Sequence, residues 1–304
     1  MKPSLPTIIF LVLFLGISAL IVYANTTQPD LTGKVSLVSP TKSEVTTSIA
    51  PESEDSQEDD SNLTDEELRK KVLPANDLLL PDLVLADPTR VVIQRGQGIK
   101  RLLFDTAFAN MGDGDLHFYS TEEEDRFTAT QIINSSSGSE YHVSVGDFQF
   151  KDEHDHWHLA NFANYELWSV GDNGVRDELV ASSVKVSFCI WDYGEYTEGN
   201  FDLPGDDLLP KARQYPRCEH EEQGLTVGWF DLYDPFTAGQ TIDILDVPNG
   251  VYILRTLINV NQDIFEIGHE NNESSIYVEI IDNAAFILQQ PDAMMKILRR
   301  NYIS

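Results

Sequence analysis

The chain has 304 residues, with 21 Lys+Arg against 50 Asp+Glu and a formal net charge of −29. Phosphate binding needs a basic face, so this balance excludes nucleic acid as the main partner and argues against an anionic membrane surface. It suits the long-range attraction of cationic partners such as amines. A hydrophobic share of 41% with 10% aromatics can build a core, and two cysteines are too few for a disulfide-built scaffold.

Lys2 precedes an apolar run from Ile8 to Val22, and Val22-Tyr23-Ala24 offers small or apolar residues at −3 and −1 of a cut before Asn25. Residues 1–24 therefore read as a secretory signal peptide; left uncut, the same run would tether the chain to the outer face of the membrane. Either way the rest is expected to be secreted or extracytoplasmic, where a disulfide can persist. Residues 25–76 follow as an acidic, disordered spacer. Nine acids fall between Glu52 and Glu67 with few large apolar residues among them, which leaves nothing to bury. Leu63-Thr64-Asp65-Glu66-Glu67-Leu68 predicts a short helix capped by Thr64.

From residue 77 to 282 β-branched and apolar runs alternate with turn signals. Candidate strands are Leu102–Asn110, Asn161–Val170, Val184–Ile190, Val251–Val260 and Ser275–Ile281. Gly112-Asp113-Gly114, Asp172-Asn173-Gly174 and Pro248-Asn249-Gly250 punctuate them. The fold class is mainly β: a single antiparallel, sandwich-like domain with short helices and long loops. Residues 283–304, with Phe286, Ile287, Leu288, Met294, Met295, Ile297 and Leu298 beside Lys296, Arg299 and Arg300, predict a C-terminal amphipathic helix.

Three of the seven histidines sit in Glu153-His154-Asp155-His156-Trp157-His158. Alternation puts all three on one face of an extended strand, and neighbours at i and i+2 can converge on one ion. The outer pair would stand ~13 Å apart in a straight strand, so three-way ligation requires a bend or bulge. Three imidazoles with an open position suit copper(II) or zinc; the bland alternative is a solvated surface strand. His117, His142, His220 and His269 are scattered and read as structural or solvated.

His154-Asp155-His156-Trp157-His158, followed by Phe162 and Tyr165, resembles the copper-binding stretch of the lysyl oxidase family. Lys185-Val186-Ser187-Phe188-Cys189 resembles its Lys-x-Ser-Phe-Cys segment, and Cys218 with Gln223-Gly224-Leu225 its Cys-then-Gln-Gly-Leu element. Tyr233 stands ten residues after Gln223, where the family has its quinone tyrosine. Asp243-Ile244, Gly250-Val251-Tyr252-Ile253-Leu254, Asn271-Asn272 and Pro81-Asp82-Leu83-Val84 complete the ordered matches, from about Leu79 to Ile281.

The resemblance implies a copper-dependent amine oxidase carrying lysine tyrosylquinone. His154, His156 and His158 would hold Cu²⁺, and Tyr233 would become the quinone to which Lys185 adds its amine. Lys185 must be neutral at that moment, which a poorly solvated site favours. The product would be an aldehyde, with ammonia and H₂O₂ released, from a cationic amine or lysine-bearing protein substrate and O₂. Cys189 and Cys218 resemble one of the family's disulfide pairs, a bridge worth ~3 kcal/mol in the chain-entropy picture. Some members also hold Ca²⁺, in a pattern that Asp82, Leu83, Glu266, Asn271 and Asn272 fit; its second acid falls at Gly268. Family members carry histidines just before and after the metal triad, where this chain has Lys151 and Asn164. Asp152, Glu153 and Asp231 are left as candidates for the base. The competing reading is a non-catalytic extracellular metal-binding β-sandwich for adhesion, which would need neither Lys185 nor Tyr233.

Overall fold

The computed structural model describes residues 77–290 except 124–125, 152–154, 185, 197–209 and 220. The expected signal peptide or anchor, the acidic spacer, the Thr64 helix and residues 291–304 lie outside the described residues. Among the described residues no helix is long and apolar enough to cross a membrane.

Among the described residues eighteen strands run in chain order. The first six are β1 (Leu78–Leu79), β2 (Leu83–Leu85), β3 (Val91–Gly96), β4 (Ile99–Phe104), β5 (Thr106–Asn110) and β6 (Leu116–Glu123). Next come β7 (Arg126–Ser135), β8 (Glu140–Lys151), β9 (His156–Val170), β10 (Arg176–Ser182), β11 (Val186–Phe188) and β12 (Gly194–Glu195). The last six are β13 (Glu222–Leu225), β14 (Trp229–Tyr233), β15 (Thr241–Asp243), β16 (Gly250–Ile258), β17 (Glu273–Ile281) and β18 (Ala284–Leu288). An eleven-stranded sheet follows the order β13-β6-β7-β8-β9-β16-β17-β18, with β1 on β7 and both β10 and β11 on β9. Smaller sheets β12-β14-β5-β2 and β15-β4-β3 share one apolar core with it. Leu83, Phe104, Phe108, Phe118, Tyr165 and Phe188 are fully buried there. Every pairing is antiparallel, as the mainly β reading expected. The short helices of that reading do not occur among the described residues between 77 and 289.

Two sequence runs divide differently from expectation. The run 102–110 breaks at Asp105, whose buried carboxylate accepts the Thr89 and Arg90 amides, each at 2.9 Å, and the Thr89 hydroxyl. That Asx-type clamp sends β4 and β5 into different sheets. Residues 284–288 form an edge strand rather than the start of a helix. Asn249 and Asp282 exchange two hydrogen bonds of 2.9 and 2.8 Å, and Asp282 turns at φ 51°. The chain therefore folds back on β17, with Ile287 opposite Val278.

Long β9 organises the site. Its first residues pair with β8, and Leu159 and Ala163 pair with β11; its later residues pair with β16 and β10. The change of partners falls around Asn161, at φ 57°. Asn tolerates this left-handed conformation better than most side chains, and the kink redirects the strand.

Candidate metal and quinone site

The chain reverses between Lys151 and His156, which are paired across β8 and β9. Asp155 stands at φ 56° and its amide reaches the Lys151 carbonyl at 2.9 Å. A bend at Asp155 thus lies just before His156. His154 lies outside the described residues. His156 and His158 do share a face of β9, and their Nε2 atoms approach to 2.9 Å. Two donors about 2.0–2.1 Å from a common ion and cis to each other would stand about that far apart. His158 is buried and donates Nδ1–H to the Ser187 carbonyl at 2.9 Å. That bond fixes its tautomer and leaves the Nε2 lone pair for a ligand.

The Cys189–Cys218 disulfide is formed, with Cα atoms 5.5 Å apart. Its sulfurs and a His156 ring nitrogen lie within 4.8 Å of one another. Sulfurs bonded to each other are not thiolate ligands, so the bridge walls the histidine pair instead of joining it.

Tyr233 reaches this segment from β14. Its hydroxyl donates to the Cys189 carbonyl at 2.5 Å, and its ring packs on Phe188 with centroids 4.0 Å apart. Burial, then the charge of Asp231, pushes the phenol pKa well above its usual range. Lys185 lies outside the described residues. Its neighbour Val186 opens β11 and pairs with Ala163 of the histidine strand. Asp231 shares the Tyr233 face of β14 by alternation. It is fully buried, its Oδ1 accepts the Leu232 amide at 2.8 Å, and the Trp191 amide also reaches its carboxylate. Its Oδ2 has no hydrogen-bond partner, and burial drives its pKa far up. Asp152 and Glu153, the other candidate bases, lie outside the described residues.

Gln223 holds these pieces together. Fully buried, it accepts from the Ile190 amide at 3.1 Å and donates to the Trp157 carbonyl at 2.9 Å, tying the disulfide segment to the histidine strand. Asp192 anchors the same segment by accepting from the amides of Gln214, Tyr215 and Thr226 and from the Thr226 hydroxyl. Neither role is visible in the sequence. In the sequence Gln223 stands out only as part of a motif, and Asp192 resembles any other acid in a turn-rich stretch.

The second cluster joins the first strands to the 266–272 loop. Glu266 Oε2 accepts the Leu83 amide at 2.9 Å, and Oε1 accepts Asn259 and Asn272 side-chain amides, both at 2.6 Å. Asn271 donates to Asp82 at 2.8 Å. The Oδ1 atoms of Asn271 and Asn272 are buried without a hydrogen-bond partner. Carboxylates and orphaned amide oxygens form a donor set suited to a hard cation. A Cβ added at Gly268 would lie 2.7 Å from Glu270 Oε2, so the Glu270 carboxylate fills the space beside the missing acid.

Of the scattered histidines, His117 pairs with Glu222 at 3.0 Å, His142 bridges Tyr119 and Glu140, and His269 meets Glu266 at 3.0 Å. His220 lies outside the described residues. Lys151 reaches Gln149, and Asn164 reaches Glu166.

The lysyl oxidase family model matches residues 106–289. "Lysyl oxidase homolog 2" of Gallus gallus is 36% identical over 185 residues, covering 54% of this chain and 22% of its own length. "Lysyl oxidase homolog 3" of Homo sapiens is 36% identical over 120 residues, covering 39% of this chain and 14% of its own. The chain thus spans less than a quarter of the length of these relatives. With the match running from β5 to β18 and taking in the histidine hairpin, the disulfide segment and Tyr233, the chain belongs to the lysyl oxidase family.

Proposed function

We propose that the chain is a copper-dependent amine oxidase that oxidises primary amines, including peptidyl lysine, with O₂. The observation that carries this reading is the 2.9 Å approach of two imidazole Nε2 atoms beside a disulfide whose Cys189 carbonyl holds the buried Tyr233 hydroxyl. His154, His156 and His158 would hold Cu²⁺, and Tyr233 and Lys185 would form lysine tyrosylquinone. When present, copper and quinone supply the electron sink by which amine, water and O₂ become aldehyde, ammonia and H₂O₂.

The chain's own residues do the rest. The Ser187 carbonyl orients His158, and Gln223 fixes the histidine strand against the disulfide segment. Phe188 and Tyr165 help to exclude water around Tyr233, both being fully buried in the same core. A dry surrounding favours the neutral Lys185 amine that must attack the oxidised ring. Ca²⁺ belongs to the proposal at Asp82, Leu83, Glu266, Asn271 and Asn272, on the strength of the two orphaned amide oxygens. The family is extracellular in character, and a formed disulfide fits export; the net charge of −29 suits a cationic substrate.

Incubating the purified chain with Cu²⁺ in air should produce a redox-cycling stain and quinone absorbance. Peptide mapping should lose the linear Lys185 and Tyr233 peptides together and show one branched species. Lys185→Arg should retain copper and lack the link, because guanidinium stays protonated. A protein that loads copper, stays stain-negative and returns both linear peptides in full is a metal-binding module, not an oxidase.

A further inference from the structure

Three buried aspartates stand near the core: Asp105, Asp192 and Asp231. The first two are structural by their partners. Asp105 receives two amides and a hydroxyl, and Asp192 three amides and a hydroxyl. Asp231 is as buried as Asp192, yet its Oδ2 meets no donor. A buried carboxylate oxygen without a partner carries a desolvation cost that folding alone gives no reason to keep.

Its surroundings are specific. Asp231 and Tyr233 alternate onto one face of β14, and both reach the same short segment: Tyr233 the Cys189 carbonyl, Asp231 the Trp191 amide. The facing strand β5, Thr106–Asn110, brings no charged side chain. β12 contributes Glu195, which is exposed. Asp192 in the 189–192 segment and Tyr165 on β9 are the other ionisable groups acting on this pair. Among the described residues no cation acts on this carboxylate.

We infer that Asp231 is the proton acceptor of the amine-oxidising site, taking the proton from the α-carbon of the substrate amine onto Oδ2. This rests on the amine-oxidase reading above and goes beyond it by naming the base. In the step, the α-carbon C–H bond breaks and an O–H bond forms on Asp231. The C–H electron pair would pass to the oxidised cofactor, from which O₂ would take two electrons and, with two protons, become H₂O₂. Burial raises the carboxyl pKa, which makes the ionised carboxylate a stronger base.

The test uses the full chain, copper-loaded in air, with a small alkylamine as substrate and phenylhydrazine to count reactive carbonyl. In Asp231→Asn, adduct stoichiometry should match wild type while turnover falls about 10²–10⁴-fold, and the acid limb of kcat/KM should vanish from what remains. Asp231→Glu should restore part of the turnover with that limb displaced in pH. Infrared spectra of the copper-free chain, titrated from acid to alkaline pH, should show a protonated-carboxyl stretch that fades as Asp231 ionises and that Asp231→Asn removes. Wild-type turnover with an unmoved acid limb in Asp231→Asn overturns the inference, as does an infrared band that persists in that variant. If Asp231→Asn gives no adduct, the Asp231→Glu profile decides: a displaced limb supports the inference and an unmoved one overturns it. A wild-type chain that binds copper and gives no adduct sinks the amine-oxidase reading itself, and the inference with it.

Discussion

Asp192 and Asp231 differ not in burial but in how many donors face them, and that difference has a consequence for stability apart from catalysis. In the unfolded chain Asp231 titrates near its ordinary value of 3.8; in the fold its pKa lies well above that. Between the two values the folded state holds a proton that the unfolded state has lost. The stability that neutral Asp231 contributes is therefore complete below about pH 4 and is lost as pH rises toward the folded pKa, with a slope of the order of 1 kcal/mol per pH unit. Asp231→Asn should remove that slope, so the difference in unfolding free energy between wild type and variant should narrow or reverse as pH climbs from 4 toward neutrality. Denaturant titrations across that range check it; parallel curves would mean that Asp231 ionises normally. The sequence displayed the histidine pair because i and i+2 spacing guarantees one face. It could not display the orphaned Oδ2, since that depends on residues 191 and 232 arriving together with no other donor.

Strand pairing turns the Gln-Gly-Leu motif into a mechanical requirement. β13 lies against β6 with Gly224 opposite His117. A Cβ on Gly224 would stand 2.2 Å from the Leu116 carbonyl oxygen and 2.8 Å from the Tyr215 ring. Backbone cannot yield there without parting the strands. Gly224→Ala should therefore cost about 1–3 kcal/mol, read as a lowered urea midpoint at unchanged slope, and copper retention should fall because neighbouring Gln223 tethers the histidine strand. A midpoint within experimental scatter of wild type would contradict this packing. Hairpin chemistry was the more legible part at this scale. Asp172-Asn173-Gly174 does close β9 onto β10, with Gly174 at φ 79° and Gly171 bonded to Val175 at 2.9 Å. The break at Asp105 and the strand at 284–288 were not legible, because an acid that clamps and an acid that is merely solvated look alike in sequence. An apolar run of five residues likewise fits a strand edge or a helix turn equally well.

Across the whole molecule, the first strands are closed by the loop that precedes β17. Leu83 bonds to Glu266, Asp82 to Asn271, and the Leu85 amide to the Asn271 carbonyl at 3.0 Å. Ca²⁺ held there would fasten residues 82–85 to residues 266–272. Saturating Ca²⁺ should raise the thermal midpoint, by an amount corresponding to about 3 kcal/mol at a hundredfold excess over Kd. Glu266→Gln should abolish the shift, and Glu270→Gln should reduce it if that carboxylate supplies the acid absent at 268. Differential scanning calorimetry with and without chelator checks this; equal midpoints would leave the cluster as a hydrogen-bonded clasp. The overall β class was legible because turn residues and alternation are local signals. The three-sheet division was not, since pairings such as β13 with β6 and β14 with β5 join segments over a hundred residues apart.

That distance imposes a timetable on the nascent polypeptide. The β8–β9 hairpin, bearing His156 and His158, is local in sequence and can close soon after it is made, within microseconds on its own. Tyr233 cannot take its place until β14 finds β5, and Asp82 waits for Asn271, 189 residues further along the chain. Loop closures of that length make the later steps the slow ones. A copper ion met early would find imidazoles before it found a tyrosine to oxidise, so on the proposed reading any oxidation would wait until β14 has docked on β5.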